Sequence, residues 1–342
     1  MKVLYITNMY PNAPNPYSGI FVKREVEYLR KEGLEVEVIF INGQKNKFEY
    51  IKAPFIIFDR LSKRKFDVIN VQHSLLLPQT LLARKLLRLR TPIIYTFHEG
   101  ETSNRYARTN VVKALLTSGR WKSFFARHVD LVIATNLEVM ENNMNLPKTL
   151  PLVELPPSVD VSAFSPLDKA KYRKRLGFDT GKFLVFFPAD PQRPEKNFSF
   201  LKQVIEDLNA RGTQELEIIT GPISPETMSF YYNACDIVCL PSLYEAAPIV
   251  VKEAMACNRP IVASDVGDIG KTIGNVDGCF VVRDWNKNDF GKCILKALQY
   301  ESTNGRERIS EMGWDSETST KKLLSALNQL THSVKPGGQK DQ

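Results

Sequence analysis

One stretch decides the fold of this chain of 342 residues: PSLYEAAPIVVKEAMA, at positions 241–256. It follows Ile237–Leu240, a short run of mostly apolar, branched residues that predicts a buried strand. Proline at position 248 suits the first turn of a helix. The stretch therefore predicts a strand, a loop and then a helix over Pro248–Cys257.

The loop and the start of this helix carry groups suited to an anionic ligand. The backbone N–H groups of Ala246, Ala247 and Ile249 would point out of the helix start, which favours binding of a diphosphate. Glu245 lies at the mouth of this site, and Glu253 follows more than one helical turn later. We expect the two carboxylates to lie about 10 Å apart, given the rise per residue of a helix.

The distance expected between Glu245 and Glu253 is too great for a nucleophile and acid acting on one glycosidic bond. It suits a ligand along the helix start, with one carboxylate accepting hydrogen bonds from sugar hydroxyls and the other from ribose hydroxyls. The alternative is an ordinary loop carboxylate and a solvated helix residue. Two glutamates eight positions apart are common, so spacing alone leaves both interpretations open.

Short apolar runs recur along the whole chain and predict two sets of buried strands. The first set is Val3–Thr7, Val36–Ile41, Val68–Gln72, Ile93–Phe97 and Leu131–Ala134. The second set is Phe183–Phe187, Leu216–Thr220, Ile237–Leu240, Ile261–Ser264 and Cys279–Val282.

Stretches with helical spacing separate these strands: Val22–Glu32, Leu76–Leu89, Val111–His128, Phe198–Ala210, Pro225–Cys235, Pro248–Cys257 and Asn288–Tyr300. Strands that alternate with helices predict an α/β protein with parallel sheets. The sequence thus predicts two Rossmann-like, doubly wound domains.

A segment rich in proline and serine, Leu155–Pro166, is the natural linker between the domains. We expect an N-terminal domain over 1–160 and a C-terminal domain over 161–315. A helix over 316–331 should follow, and the polar residues 332–342 should be a disordered tail.

Composition limits the classes of function. The chain has a net charge of +8, which fits attraction to phosphates or to an anionic membrane surface. No zinc-finger spacing or RNA-binding signature is present, so we expect no nucleic-acid partner. No run of about 18 apolar residues and no secretory signal occurs, which favours a cytoplasmic protein.

Residues 245–267 resemble the signature of the retaining glycosyltransferases of family 4. The match comprises the E-x7-E pair, the following Ala254-Met255-Ala256, and the strand up to Asp265-Val266-Gly267. The resemblance implies the GT-B fold, in which two Rossmann-like domains face each other and the second holds a nucleotide-sugar donor. It also implies a C-terminal helix that crosses back to the first domain, and a bacterial polysaccharide- or glycolipid-type enzyme.

Two positions of the first half resemble that family as well. The segment from Asn8 to Val22 is similar to its first loop, which implies that Gly19 approaches the donor phosphate and the acceptor. The segment Tyr95–Gly100 is similar to its T-x-H-G strand end, which implies that His98 points toward the transferred sugar. A plain turn glycine and a structural histidine are the alternatives.

Two cations of the second half resemble the pair with which the family binds the donor diphosphate. Lys196 matches, but the position five before it is Pro191 instead of arginine, so we take Arg193 as the substitute. Two cations at a helix start would neutralise a leaving diphosphate. Gly221, after the strand Leu216–Thr220, is a further candidate for donor binding.

The resemblance implies a hexosyltransferase that retains anomeric configuration, with no metal site and no cofactor beyond its substrates. The chain agrees in lacking a D-x-D tripeptide. A glycan or a lipid-linked molecule is the expected acceptor. A basic run, Lys63–Lys65, and a basic helix, Leu76–Leu89, suggest peripheral contact with an anionic membrane, although a solvated helix face would look the same.

Two other functions stay open. A nucleotide-sugar epimerase of GT-B fold would need acid and base carboxylates within reach of the sugar ring and would use no acceptor. A non-catalytic subunit that binds a nucleotide-sugar gains some support from the shifted Arg193. A hydride-transferring Rossmann enzyme is disfavoured, because no G-x-G-x-x-G follows the first strand.

Overall fold

The computed structural model describes residues 1–43, 45–98, 118–178, 181–212 and 214–334. The chain divides into two compact units. The first unit comprises Met1–Pro156 and Glu317–Gln342, and the second comprises Pro157–Ser316. The first junction lies four residues before the boundary expected after position 160. The second junction lies one residue after the boundary expected at position 315.

The first unit is built on a six-stranded parallel sheet in the order β2-β1-β3-β4-β5-β6. Its strands are β1 Lys2–Thr7, β2 Glu35–Phe40, β3 Val68–Val71, β4 Ile93–Phe97, β5 Leu131–Ala134 and β6 Leu152–Glu154. The order reverses beside β1, as in a doubly wound fold. The sheet confirms the predicted Rossmann-like architecture of this half of the chain.

The helices of the first unit are α1 Ile20–Lys31, α2 Glu49–Lys63, α3 Leu77–Leu86, α4 Gly119–Ala126 and α5 Leu137–Asn143. The sequence did not predict α2, whose apolar residues lie on two sides of the helix and whose interior contains Pro54. Of the helix predicted over Val111–His128, residues 111–117 lie outside the described residues. The described part of that helix begins only at Gly119, after an N-cap at Ser118.

The second unit is built on a five-stranded parallel sheet in the order β11-β10-β9-β7-β8. Its strands are β7 Phe183–Phe186, β8 Leu216–Ile219, β9 Ile237–Leu240, β10 Ile261–Ser264 and β11 Cys279–Val282. Its helices are α6 Lys169–Leu176, α7 Phe198–Ala210, α8 Met228–Ala234, α9 Ile249–Ala256, α10 Ile269–Ile273, α11 Lys287–Ala297 and α12 Gly305–Met312. Both sheets are covered by apolar cores on both faces, as parallel sheets require.

The last helix, α13 Ser316–Val334, packs against the first unit although it follows the second in sequence. Leu323, Leu327 and Leu330 join the core that contains Val3 and Tyr5 of β1. This is the returning C-terminal helix that the family resemblance implied. The helix includes residues 332–334, which the sequence assigned to the tail.

Candidate active site

The loop that joins β9 to α9 is fixed at its start by a buried serine and by a backbone hydrogen bond. Ser242 is fully buried at the carboxyl end of the strand, and the N–H of Leu243 donates to the carbonyl of Glu195 at 2.8 Å. Helix α9 begins at Ile249, so Pro248 is the residue that precedes the helix and not its first member. The prediction placed Pro248 one position too far into the helix, because the ψ angle of 115° at this proline is extended.

Lys196 and Glu245 form an ion pair that is largely shielded from solvent. The Lys196 Nζ lies 2.5 Å from the Glu245 Oε1, and about a tenth of each side chain is exposed. The hydroxyl of Ser242 donates to the same carboxylate oxygen at 2.8 Å. The structure therefore brings together two residues that lie 49 positions apart in sequence and that the sequence assigned to one site.

This pair lies at the switch point of the second sheet. Lys196 belongs to the segment after β7, and Glu245 follows β9, the strand that pairs with β7. Helix α7 after β7 packs on one face of the sheet, and α9 after β9 packs on the other. Connections that leave neighbouring strands toward opposite faces open a crevice at their carboxyl ends, and ligands bind there in doubly wound folds.

Arg193 lies beside the pair in sequence but is bound to a different carboxylate. Its Nε donates to the Glu195 Oε1 at 2.7 Å, and more than half of its side chain is exposed. Burial raises the pKa of Glu195, but hydrogen bonds from its own backbone and from Arg193 outweigh burial, so the pKa lies below its ordinary value. Arg193 is thus a cation at the exposed rim of the candidate site, whereas Lys196 is a cation in its shielded interior.

Glu253 is on the buried side of α9. Only 4% of it is exposed, and the hydroxyl of Tyr232 in α8 lies 3.1 Å from its Oε2. The preceding Lys252 is also buried and donates to the carbonyl of Pro157 at 2.9 Å. Sequence reasoning missed Tyr232 and Pro157, because both contacts join segments that are distant along the chain.

Gly267, three residues after β10, packs against the backbone of the loop between β9 and α9, which we call the Glu245 loop. Its φ of +62° is left-handed, and a Cβ there would lie 2.4 Å from the carbonyl oxygen of Ala246. The N–H of Asp268 donates to that same carbonyl at 3.0 Å. Burial raises the pKa of the Asp268 carboxyl to about 6, although the charges of Lys252 and Lys271 act in the opposite direction. Ala247 lies in this loop, two residues before α9.

His98 stands directly after β4 in the first unit and is held by a series of hydrogen bonds. Its Nε2 lies 3.0 Å from the Oε1 of Gln72, and the Nε2 of Gln72 donates to Glu25 at 3.2 Å. Tyr5 donates to the same Glu25 oxygen at 2.7 Å. With Glu25 ionised, the Gln72 amide donates to it, so the Gln72 Oε1 accepts from His98 and places a proton on the His98 Nε2.

Burial raises the pKa of Glu25, and the hydrogen bonds from Tyr5 and Gln72 offset part of that effect. Sequence reasoning identified His98 but missed Gln72 and Glu25. The position of Gln72 after β3 was the available signal, since polar residues at the carboxyl ends of parallel strands converge on one edge.

Gly19 caps the start of α1 with a φ of +65°. A Cβ on it would lie 2.3 Å from the carbonyl of Met9, so only glycine allows the helix start to approach the loop after β1 this closely. Phe21, two residues on, packs against the ring of His98 at 5.0 Å between centroids. Within the first unit the Gly19 turn and His98 are therefore neighbours.

The remaining candidate, Gly221, lies two residues beyond the end of β8. Within the described ranges, no group of three or more histidine, cysteine or acidic side chains is arranged to hold a metal ion.

Two family models match the chain, one on each unit. The model described as "Glycosyltransferase Family 4" matches residues 18–145, and the model described as "Glycosyl transferases group 1" matches residues 189–300. The chain is 23% identical to the putative teichuronic acid biosynthesis glycosyltransferase TuaC of Bacillus subtilis (strain 168). That match covers 80% of this chain and 83% of the relative.

Solved structures share the fold at low sequence identity. Sucrose-phosphate synthase from Thermosynechococcus elongatus superposes with a TM-score of 0.75 at 17% identity, over 97% of this chain and 99% of that one. HepE of Anabaena, solved in complex with UDP-glucose, gives a TM-score of 0.68 at 16% identity, over 96% of this chain and 100% of that one. The two family models, the named relative and the GT-B architecture together identify this chain as a glycosyltransferase of the GT-B fold.

Proposed function

We propose that the chain transfers a hexosyl group from a nucleotide-sugar to a glycan or lipid-linked acceptor, with retention of anomeric configuration. One observation carries the proposal: the ion pair of Lys196 and Glu245 lies at the switch point of the second sheet, beside the start of α9. A diphosphate placed there would meet a lysine ammonium and the backbone N–H groups at the helix start.

In this proposal Lys196 stabilises the charge that develops on the departing nucleoside diphosphate. The bond between the sugar C1 and the phosphate oxygen breaks while the acceptor oxygen forms its bond to C1 on the same face. The acceptor proton passes to the departing phosphate, so no protein nucleophile is required. Arg193, exposed at the rim, adds positive potential on the approach to the site.

Two further residues act on the donor in the proposal. Glu245 orients the sugar through hydroxyl groups while it holds Lys196 in place. Glu253, buried against Tyr232, orients the ribose end of the ligand. His98, held with its proton on Nε2 by Gln72, contributes a hydrogen bond to the transferred sugar.

The known relatives support the class of donor and acceptor. HepE was solved with UDP-glucose, and TuaC is named for teichuronic acid biosynthesis. We therefore propose a nucleotide-sugar donor and an acceptor of the kind used to build surface polysaccharide. No divalent metal takes part in the proposed reaction, because the cations and the helix start supply the positive charge.

Thermal shifts with UDP-, GDP- and ADP-sugars test the donor. A donor present at 100 times its Kd stabilises the fold by about 2.7 kcal/mol and raises the melting temperature. The responding donor is then incubated with oligosaccharide and lipid-linked acceptors, and NMR reads the anomeric configuration of the product. No shift with any nucleotide-sugar would sink the donor proposal, an inverted product would remove retention, and a changed sugar released without acceptor would indicate an epimerase.

A further inference from the structure

Helix α2 carries an apolar stripe on its outer side. Phe48, Ile51, Phe55 and Phe58 are exposed, and the first three expose 66%, 64% and 76% of their surface. Their spacing of three, four and three residues places them on one side of the helix. We call these four residues the outer stripe. Large apolar side chains that are contiguous and exposed mark an interaction site.

The opposite side of α2 is already occupied by the core of the first unit. Ala53, Ile57 and Leu61 are buried there and form a second apolar row with spacing of four. The helix thus has two apolar sides, of which only one is used to hold it on the sheet. None of the four residues of the outer stripe belongs to the apolar cores of the first unit, so their exposed surface requires another explanation.

The neighbouring helix α3 extends the same kind of surface. Helices α2 and α3 pack against each other. On α3, Leu82 and Leu86 lie one turn apart and expose 54% and 63% of their surface. Exposed apolar residues therefore occur on both members of this helix pair.

The charge of this region is strongly positive. Residues 45–65 contain seven basic and two acidic residues, and residues 74–98 contain four basic and no acidic residues. These two segments together carry nine net positive charges, and seven remain after subtracting Glu37 and Asp130, which form ion pairs with Arg60, Arg64 and Arg84. Two of the lysines, Lys52 and Lys63, are exposed on α2 itself and form ion pairs with Glu49 and Asp59 of the same helix.

We propose that α2 and α3 form a docking face for an anionic lipid bilayer, with the outer stripe inserted at the interface and the lysines near the headgroups. Apolar side chains beside basic residues on a surface helix are the pattern of helices that lie in the membrane interface. A second copy of this chain fits less well, since two such positive faces would repel each other. Among the described helices, none is long and apolar enough to cross a bilayer.

Co-sedimentation of the full chain with vesicles tests the proposal. Vesicles of phosphatidylcholine with about 30 mol % phosphatidylglycerol should bind the protein at low salt, and pure phosphatidylcholine should bind it far less. Phe55→Ser should lower the vesicle affinity at least about fivefold. The matched variant Trp285→Ser removes an exposed aromatic residue from the second unit and should leave the affinity unchanged.

A second pair of variants isolates the contribution of charge. The double variant of Lys52→Gln with Lys63→Gln removes one lysine from an i,i+3 pair and one from an i,i+4 pair on α2. The double variant of Lys292→Gln with Lys202→Gln removes lysines from the same two types of pair in the second unit. The α2 variant should bind about 25-fold more weakly, since each of the two lysines near an anionic surface is worth about fivefold.

Equal binding to anionic and neutral vesicles would overturn the proposal, as would equal losses in the matched variants. Gel filtration without lipid gives an independent reading. A concentration-dependent dimer that Phe55→Ser abolishes would assign the stripe to a second copy of this chain and not to a bilayer. Because these measurements read binding alone, their outcome is separate from that of the donor experiments.

Discussion

Lys196 acts in two ways on the Glu245 loop: it neutralises a carboxylate that is about nine-tenths buried, and it brings a positive charge to the switch point. Lys196→Ala should lower turnover by about 100-fold or more, the usual cost of losing one preorganised electrostatic group. Donor affinity, read by thermal shift, should change less, since the charge on the leaving group develops in the transition state.

Lys202→Ala is the matched control for this variant, because Lys202 is an exposed lysine of α7 in the same unit. Its turnover should equal that of the unaltered chain. Equal turnover of Lys196→Ala and Lys202→Ala would remove Lys196 from the mechanism. Melting curves guard against loss of fold, since Glu245 would keep only the Ser242 hydroxyl of these two partners.

The tautomer of His98 gives a second prediction at this scale. Gln72→Leu removes the acceptor that keeps the proton on Nε2, so the ring should populate both tautomers, and turnover should fall about tenfold. Histidine ¹⁵N NMR reads the tautomer directly, and the chain has only 4 histidines. His98→Ala assigns the signal. An unchanged tautomer in Gln72→Leu would mean that Gln72 does not position the ring.

The sequence predicted the positions of the candidate site residues on the sheets better than it predicted their contacts. Lys196, Glu245 and His98 follow strands within recognisable motifs, so their places on the sheet edges could be derived. Glu25 and Tyr232 could not, because each acts through a contact between helices and strands that only the packed sheet brings together. The ion pair of Arg193 with Glu195 could not be predicted either, because the partner that Arg193 binds depends on side-chain geometry.

At the level of elements, β1 to β5 and β7 to β11 were predicted to within one or two residues, since short branched runs between polar residues have few alternatives, whereas the three-residue β6 was not predicted. Helix α2 was missed for a physical reason. A helix is recognised from one apolar side, whereas α2 has a buried row and the outer stripe, and Pro54 interrupts the pattern further. The same departure from the one-sided pattern is what marks the helix as a docking surface.

The loop between β9 and α9 depends on the turn at Gly267. Gly267→Ala places a Cβ against the carbonyl oxygen of Ala246 at 2.4 Å and in a left-handed conformation. We expect a loss of about 2 kcal/mol in the free energy of unfolding, together with a smaller thermal shift on adding donor. Chemical denaturation and the donor thermal-shift assay measure the two effects.

Gly177→Ala is the control for the backbone contribution, because Gly177 has a φ of +71° with nothing within 4 Å of the added Cβ. It should cost about 1 kcal/mol and leave the donor response intact. If Gly267→Ala behaved identically in both assays, the close approach to the Glu245 loop would be irrelevant to the site.

For the whole molecule, the arrangement of two doubly wound units followed from the alternation of strands and helices along the sequence. The return of α13 to the first unit followed from the family resemblance alone. The sequence pattern identifies an amphipathic helix at the C-terminus but does not specify which core receives it. Leu323 and Leu327 settle the point by packing with Val3 and Tyr5.

Leu327→Ala should therefore destabilise the first unit and not the second. The side chain is fully buried, so the expected cost is about 2–4 kcal/mol. Hydrogen exchange followed by mass spectrometry reads each unit separately and should show faster exchange in the first unit, including β1, α1 and α13, and unchanged exchange in the second. Asn328→Ala, on the exposed side of the same helix, is the control and should leave both units unchanged.

Because α13 completes the first unit, the chain is synthesised with its opening domain unfinished. One face of the sheet that contains β1 stays partly uncovered until the residues after Glu317 have left the ribosome and α13 can pack on it. By then every residue of the second unit has been made. A truncation after Ser316 would thus damage the first unit, which is made earlier, and spare the second.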